Sequence, residues 1–189
     1  MAGAPLRRSG ARPGDAILVT GTLGAAAAGP AVLEAGAGQH ACGRRRGGRA
    51  PHRVPTPRVA ESRVIRASGW ATAMIDLSDG LATDLGHIAA ESRVGARVDV
   101  DTLPVSEAAR GGSRLDADPL RWALSGARTT SSCSPPVAEH AAELAHHRGR
   151  ARPAPPCTGS ARCGRPTRAC GSSGGGRPYR VEPGFDHFA

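Results

Sequence analysis

Apolar and polar positions alternate with a recognisable period in only part of this chain. From Pro13-Gly14-Asp15, an apolar run of Ala16-Ile17-Leu18-Val19 leads to Gly21 and Gly24, which predicts a strand between two turns. A helix is expected over Ala25 to Glu34, with Pro30 breaking or kinking its interior. The best-organised stretch is Ser68 to Gly126. Within it, Ala71 to Ile75 predicts a strand and Ser78-Asp79-Gly80 a turn. Leu81, Leu85 and Ile88 then fall on one face of a following helix, at i, i+4 and i+7. Strict alternation over Ala96-Arg97-Val98-Asp99-Val100-Asp101 describes a half-buried strand with its charges toward water, in an antiparallel or edge position. Ser106 is placed to cap a short helix. Asp118-Pro119 opens another, which Gly126 can close.

Between these stretches the periodicity is lost. Residues 38–50 and 127–138 read as irregular, and 145–176 as a low-complexity segment too poor in apolar residues to offset its ordering entropy. The chain therefore divides into a domain over 1–144, a disordered segment over 145–176 and an aromatic tail over 177–189, which ends Gly184-Phe185-Asp186-His187-Phe188.

Composition narrows the picture further. Hydrophobic residues make up 39% of the chain but aromatics only 3%, and there are 26 Gly and 16 Pro, so a core is expected in part of the chain only. The net charge is +9, yet all 25 basic residues are Arg. With Lys absent and Ala, Gly and Pro abundant, the charge reads as a product of GC-rich coding. Aromatic interleaving is missing as well, so charge alone does not argue for nucleic acid. No stretch approaches the length of a membrane span and no apolar leader follows Met1, which suggests a cytoplasmic location without a membrane partner. The five Cys are odd in number, against a secreted disulfide framework. Cys157, Cys163 and Cys170 near His146 and His147 lack a C-x-x-C pair and do not make a zinc motif.

The most informative chemistry lies in Asp76-Leu77-Ser78-Asp79-Gly80, between a predicted strand and a predicted helix. Two carboxylates three residues apart beside a helix N-terminus are hard oxygen donors suited to Mg²⁺. Free N–H groups at that helix end, with the Ser hydroxyl, would receive phosphate oxygens. The same residues also fit a plainer arrangement in which Asp79 caps the helix and Asp76 sits in solvent. His87, on a helix face near apolar residues, reads as structural, and Gly21 to Gly24 as a tight turn without a phosphate-loop fingerprint.

A wider set of motifs adds to this. Arg8-Ser9-Gly10-Ala11-Arg12-Pro13-Gly14-Asp15, Val19-Thr20-Gly21-Thr22-Leu23-Gly24, Pro55-Thr56-Pro57-Arg58-Val59 and Ile75-Asp76-Leu77-Ser78-Asp79-Gly80-Leu81 occur in that order. Asp84-Leu85-Gly86-His87-Ile88, Leu103-Pro104-Val105-Ser106, Arg121-Trp122-Ala123-Leu124-Ser125-Gly126 and the terminal Gly184-Phe185-Asp186-His187-Phe188 follow. In this order they resemble the thiamine-monophosphate kinases of the aminoimidazole-ribonucleotide-synthetase-like superfamily. The resemblance implies an α/β (α+β) fold, a mixed and largely antiparallel sheet packed by helices, of the synthetase-like C-terminal type. It further implies ATP-dependent phosphorylation of thiamine phosphate to thiamine diphosphate, with Mg²⁺. By the same resemblance Arg8 and Ser78 would contact ATP, Asp76 and Asp79 would bind the metal, and Phe185 would pack against thiamine phosphate.

The pattern also breaks. The family's N-terminal domain, with its Asp-rich metal motifs, has no counterpart here, so the chain alone is expected to be inactive unless a separate N-terminal domain or a homodimer partner completes the site. After Gly126 the family continues Gly-Glu-Asp-Tyr-Glu-Leu, which supplies a substrate-contacting acid, whereas this chain reads Ala127-Arg128-Thr129-Thr130-Ser131-Ser132-Cys133-Ser134-Pro135. Writing Gly-Glu-Asp-Tyr-Glu-Leu-Leu-Phe-Ser in GC-rich codons and dropping the first base reproduces those residues, which suggests a single-base frameshift. Loss of the strand expected after Gly126 would then leave the sheet incomplete, with unpaired backbone beside it. Two other readings stay open at this point, an Arg-rich nucleic-acid binder and a decayed gene product without function.

Overall fold

The structure, a computed structural model, describes residues 5–34, 55, 57–111 and 118–126, together with the backbone of 132–134, 162–164, 171–174 and 177–179. Strand β1 (Leu18–Val19) leads into helix α1 (Ala25–Glu34), and α2 (Val59–Ser68) precedes β2 (Ile75–Asp76). Helix α3 (Leu81–Ser92) follows, then β3 (Gly95–Asp99), a single 3-10 turn over Val100–Thr102, and helices α4 (Glu107–Gly111) and α5 (Pro119–Ser125). The remaining elements are short strands: β4 (Ser132–Ser134), β5 (Arg162–Gly164), β6 (Gly171–Gly174) and β7 (Arg177–Tyr179).

The strands form two small sheets, ordered β1-β4-β2 and β5-β3-β6-β7. Among the strands of the described residues β3 and β6 pair in parallel and the other pairs are antiparallel, so the architecture is the expected mixed, largely antiparallel sheet packed by helices. One core joins the layers. Val19 and Ile75 from the first sheet, with Ile17 just before β1, meet Ala96 and Val98 from the second and Val100 of the 3-10 turn around Leu81, Leu85 and Ile88 of α3. The stripe read from the sequence is thus the seam of the domain. A second cluster lies around Leu18, Ile65 and Ala71, and a third, of Ala28, Ala108 and Ala109, joins α1 to α4 through side chains small enough for close approach.

Capping follows the sequence closely. Ser106 Oγ accepts the Ala109 amide at 3.1 Å at the start of α4, and Asp118 accepts the Leu120 amide at 2.9 Å, with Pro119 opening α5. The Gly126 amide donates to the Trp122 carbonyl at 3.0 Å and closes the helix. Gly21 and Gly24 take φ values of +80° and +84°. A Cβ on Gly24 would lie 2.9 Å from Ala109 Cβ, so this turn is shaped by packing, as expected.

Several elements differ from expectation. The strand expected over Ala71 to Ile75 is regular only at Ile75–Asp76. Helix α1 runs through Pro30 instead of ending there; Pro30 is exposed, and packing of Ala28 against α4 outweighs local propensity. Strand β3 alternates as predicted and pairs antiparallel with β5, one of the two expected positions, while β6 pairs parallel on its other side, so it is not an edge. Helix α2 carries little sequence signal, since it buries only Ile65 and leaves Val59 and Val64 exposed, so its apolar periodicity is faint.

Two segments expected to lack regular structure contribute strands. In 127–138, Ser132–Ser134 occupies the place between β1 and β2, so the strand after Gly126 is present and the backbone of both neighbours is paired. In 145–176, Arg162–Gly164 and Gly171–Gly174 flank β3, and Arg177–Tyr179 of the tail extends that sheet. Backbone hydrogen bonding needs no particular side chain, so two strands with free edges recruit Ser-, Cys- and Gly-rich segments that carry no strand signal of their own.

Candidate functional site

The turn from Asp76 to Gly80 leaves the end of β2, an edge strand of its sheet, and enters α3. Leu77, 3% exposed, anchors it in the core, whereas Asp76 and Ser78 are exposed and Asp79 is half-buried. The alternation follows from extended backbone, which turns successive side chains to opposite sides. Gly80 is the N-cap of α3 with φ +113°, and no side chain caps that position. Asp79 is therefore not a helix cap. Its Oδ2 accepts the Ser78 hydroxyl at 3.2 Å.

Gly80 also sets where the turn sits. A Cβ there would fall 2.7 Å from the Leu124 carbonyl oxygen and 2.9 Å from Ser125 Cα, so only glycine lets the turn rest on the end of α5. Across β2, Asp76 pairs with Ser132 of β4. The turn is bordered by α3, α5 and β4.

A residue with no role in the motif, Asp84, lies against the turn. Asp84, in the first turn of α3, is 2% exposed, and its Oδ2 accepts the amides of Ser78 at 2.9 Å and Asp79 at 3.1 Å. Burial pushes its carboxyl above the ordinary carboxylate range; the amides of Asp79 and Ser78 pull the other way, the Asp79 charge adds to the rise and His87 offsets it. The Ser78 and Asp79 amides, which precede the helix, are thus occupied by a carboxylate of the chain itself. The available signal was spacing: an acid four residues after the turn glycine, close enough to fold back over the turn. His87, expected among apolar residues, is exposed one turn further along α3.

Arg8 lies elsewhere. Its carbonyl accepts the Ser92 hydroxyl at 3.1 Å and its guanidinium faces Glu91 at 4.0 Å, both at the C-terminal end of α3. The carbonyl of the adjacent Arg7 accepts the Met74 amide at 2.9 Å, two residues before Asp76, so this segment also runs beside the start of β2. Phe185 lies outside the described residues. The structure brings Asp76, Ser78 and Asp79 together in one turn and seats Arg8 on the C-terminal end of α3.

Among the described residues, no group of three or more His, Cys, Asp and Glu is placed to hold a metal. Asp76 and Asp79 offer two carboxylates at an accessible turn, and Mg²⁺ commonly takes one or two carboxylates from protein while phosphates and water complete its shell. The donor set fits that ion as a partial site. No helix among the described residues is long and apolar enough to cross a membrane.

Comparison with known proteins bears on the whole domain. Residues 12–151 match the family described as AIR synthase related protein, C-terminal domain. The thiamine-monophosphate kinase of Salmonella typhimurium is 47% identical over 138 residues, covering 70% of this chain and 40% of that protein. The crystal structure of thiamine-monophosphate kinase from Stenotrophomonas maltophilia aligns with a TM-score of 0.72 at 34% identity, over 92% of this chain and 54% of that one. AaThiL, solved in complex with AMPPCP and TMP, aligns with a TM-score of 0.69 at 26% identity, over 97% of this chain and 54% of that one. The chain thus spans about two fifths of its curated relative and about half of each solved chain.

Proposed function

Since the chain belongs to the AIR synthase related family through that family's C-terminal domain, we propose that it forms the C-terminal portion of a thiamine-monophosphate kinase, whose reaction passes the γ-phosphoryl group of ATP to thiamine phosphate and yields thiamine diphosphate. The observation that carries this reading is the Asp76–Gly80 turn. It presents two carboxylates and a hydroxyl at the mouth of α3, in a chain 47% identical to a thiamine-monophosphate kinase. The solved complex of AaThiL with AMPPCP and TMP supports ATP and thiamine phosphate as the ligands.

Each residue then has a chemical task. Asp76 and Asp79 would hold a Mg²⁺ ion, and Ser78 would donate its hydroxyl to a nucleotide phosphate oxygen. The metal, when bound, neutralises charge on the phosphate oxygens. The protein's share of the work is placement, because phosphoryl transfer requires the attacking and leaving oxygens in line and asks for little covalent help. Arg8 would contact ATP, and Phe185 would pack against thiamine phosphate. The remaining metal ligands would come from an N-terminal domain, on a separate chain or a dimer partner. ATP as co-substrate fits a cytoplasmic enzyme.

The test is reconstitution. The family acid that follows Gly126 is replaced at 127–131, so the chain is first rewritten with Ala127→Gly, Arg128→Glu, Thr129→Asp, Thr130→Tyr and Ser131→Glu. It is then combined with the N-terminal portion of the Salmonella typhimurium relative. Thiamine diphosphate should form from ATP and thiamine phosphate, and Asp79→Asn should abolish it. Association of the two polypeptides without any thiamine diphosphate would overturn the reading.

A further inference from the structure

Asp84 has no part in the chemistry above, yet a buried carboxylate is costly and requires compensation. It is 2% exposed. One of its oxygens accepts both the Ser78 and the Asp79 amide, at 2.9 and 3.1 Å, while its own amide donates to the Gly80 carbonyl at 3.0 Å. These three bonds close the segment from Ser78 to Asp84 on itself. From the other side, Gly80 is pressed on Leu124 and Ser125 at distances that leave no room for a Cβ. The backbone of the turn is clamped from two directions, although the Asp76 and Ser78 side chains remain exposed.

We infer that Asp84 is a positioning residue for the Asp76–Asp79 cation site: by gripping two consecutive amides with one oxygen it fixes the direction in which the Asp79 carboxylate and the Ser78 hydroxyl leave the turn. The inference rests on the proposed cation site and specifies what holds it in shape. Asp84 does not ligate the cation. Support of this kind matters because a ligand that must first be ordered binds more weakly than one already in place.

The chemistry of the grip predicts which replacements preserve it. Asn offers the same single oxygen at the same distance, so Asp84→Asn should keep both amides bonded. Glu is one methylene longer and brings its oxygen to the wrong place in a closed turn, and Ala leaves both amides without an acceptor.

The experiment is titration of the full 189-residue chain with Mn²⁺ alone, followed by electron paramagnetic resonance, with the retention of helix checked by circular dichroism. Asp84→Asn should bind Mn²⁺ within about three-fold of the parent chain, while Asp84→Glu should bind about ten- to a hundred-fold more weakly, the range seen when supporting residues around metal ligands are removed. A folded Asp84→Asn chain that loses more than about ten-fold would overturn the inference, because it would make the charge or direct ligation the point and not the grip. A folded Asp84→Glu chain with parental affinity would overturn it as well. The double variant Asp76→Asn, Asp79→Asn separates the two levels. If it binds Mn²⁺ as the parent does, the cation site itself is refuted and the inference falls with it; if it loses binding, only the Asp84 variants decide.

Discussion

Gly80 stands so close to Ser125 that a Cβ on the glycine would lie 2.9 Å from both the Cα and the carbonyl carbon of the serine. The obstacle is backbone, which cannot rotate away, and Gly80 also has φ +113°, a conformation L residues rarely adopt. Gly80→Ala should therefore cost about 2–4 kcal/mol of stability, from conformational strain and overpacking together. Urea unfolding of the two chains measures this. A change below about 0.5 kcal/mol would mean that the turn is not seated on α5.

The pH dependence of stability isolates Asp84. Its carboxyl is raised above the ordinary 3.8 chiefly by burial. The folded state then holds the proton more tightly than the unfolded state, so the contribution of this group is most favourable below the unfolded value. It declines as pH rises from there through the folded value. Asp84→Asn removes that decline. The stability difference between Asp84→Asn and the parent chain should shift in favour of the variant as pH rises across that window, and a difference independent of pH would contradict the assignment.

Arg8 should behave as a ligand contact and not as a structural one. Its guanidinium is about half exposed and 4.0 Å from Glu91. An exposed ion pair of this length adds little, so Arg8→Ala should change stability by less than about 0.5 kcal/mol. Nucleotide affinity should fall if Arg8 meets ATP. Loss of stability with unchanged affinity would reverse the two roles.

Much of this architecture was legible because the signals were local. The Leu81, Leu85 and Ile88 stripe, the Ser106 and Asp118 caps and the alternation of β3 depend on residues within a turn or two of one another. What escaped depends on distant partners. Nothing in Ser132-Cys133-Ser134 announces a strand, yet position 133 pairs with both Val19 and Ile75, and its register is set by those two neighbours. The candidate site divides in the same way. Asp76, Ser78 and Asp79 were recognisable as a group, whereas the seating of Arg8 on the C-terminal end of α3 depends on Ser92 and Glu91, distant in sequence. The use of the Ser78 and Asp79 amides by Asp84 follows from a helical acid folding back over the turn.

The strand β4 offers a further test. Its position between Leu18, Val19 and Ile75, all buried, is one where apolar residues stabilise a sheet. The frame read from the family pattern places Leu, Leu and Phe where Ser132, Cys133 and Ser134 now stand. Ser132→Leu, Cys133→Leu and Ser134→Phe together should raise stability by about 2–4 kcal/mol, seen as a higher melting temperature. A lower melting temperature would show that the segment does not occupy the strand in solution.

The central claim is that the Asp76–Asp79 turn receives a metal and a nucleotide, and calorimetric titration of this chain with AMPPCP, with and without Mg²⁺, tests it most directly. Saturable binding that requires Mg²⁺ and weakens at least about ten-fold in Asp76→Asn, Asp79→Asn is the predicted result. Binding that is indifferent to Mg²⁺, or unchanged in that variant, would contradict it.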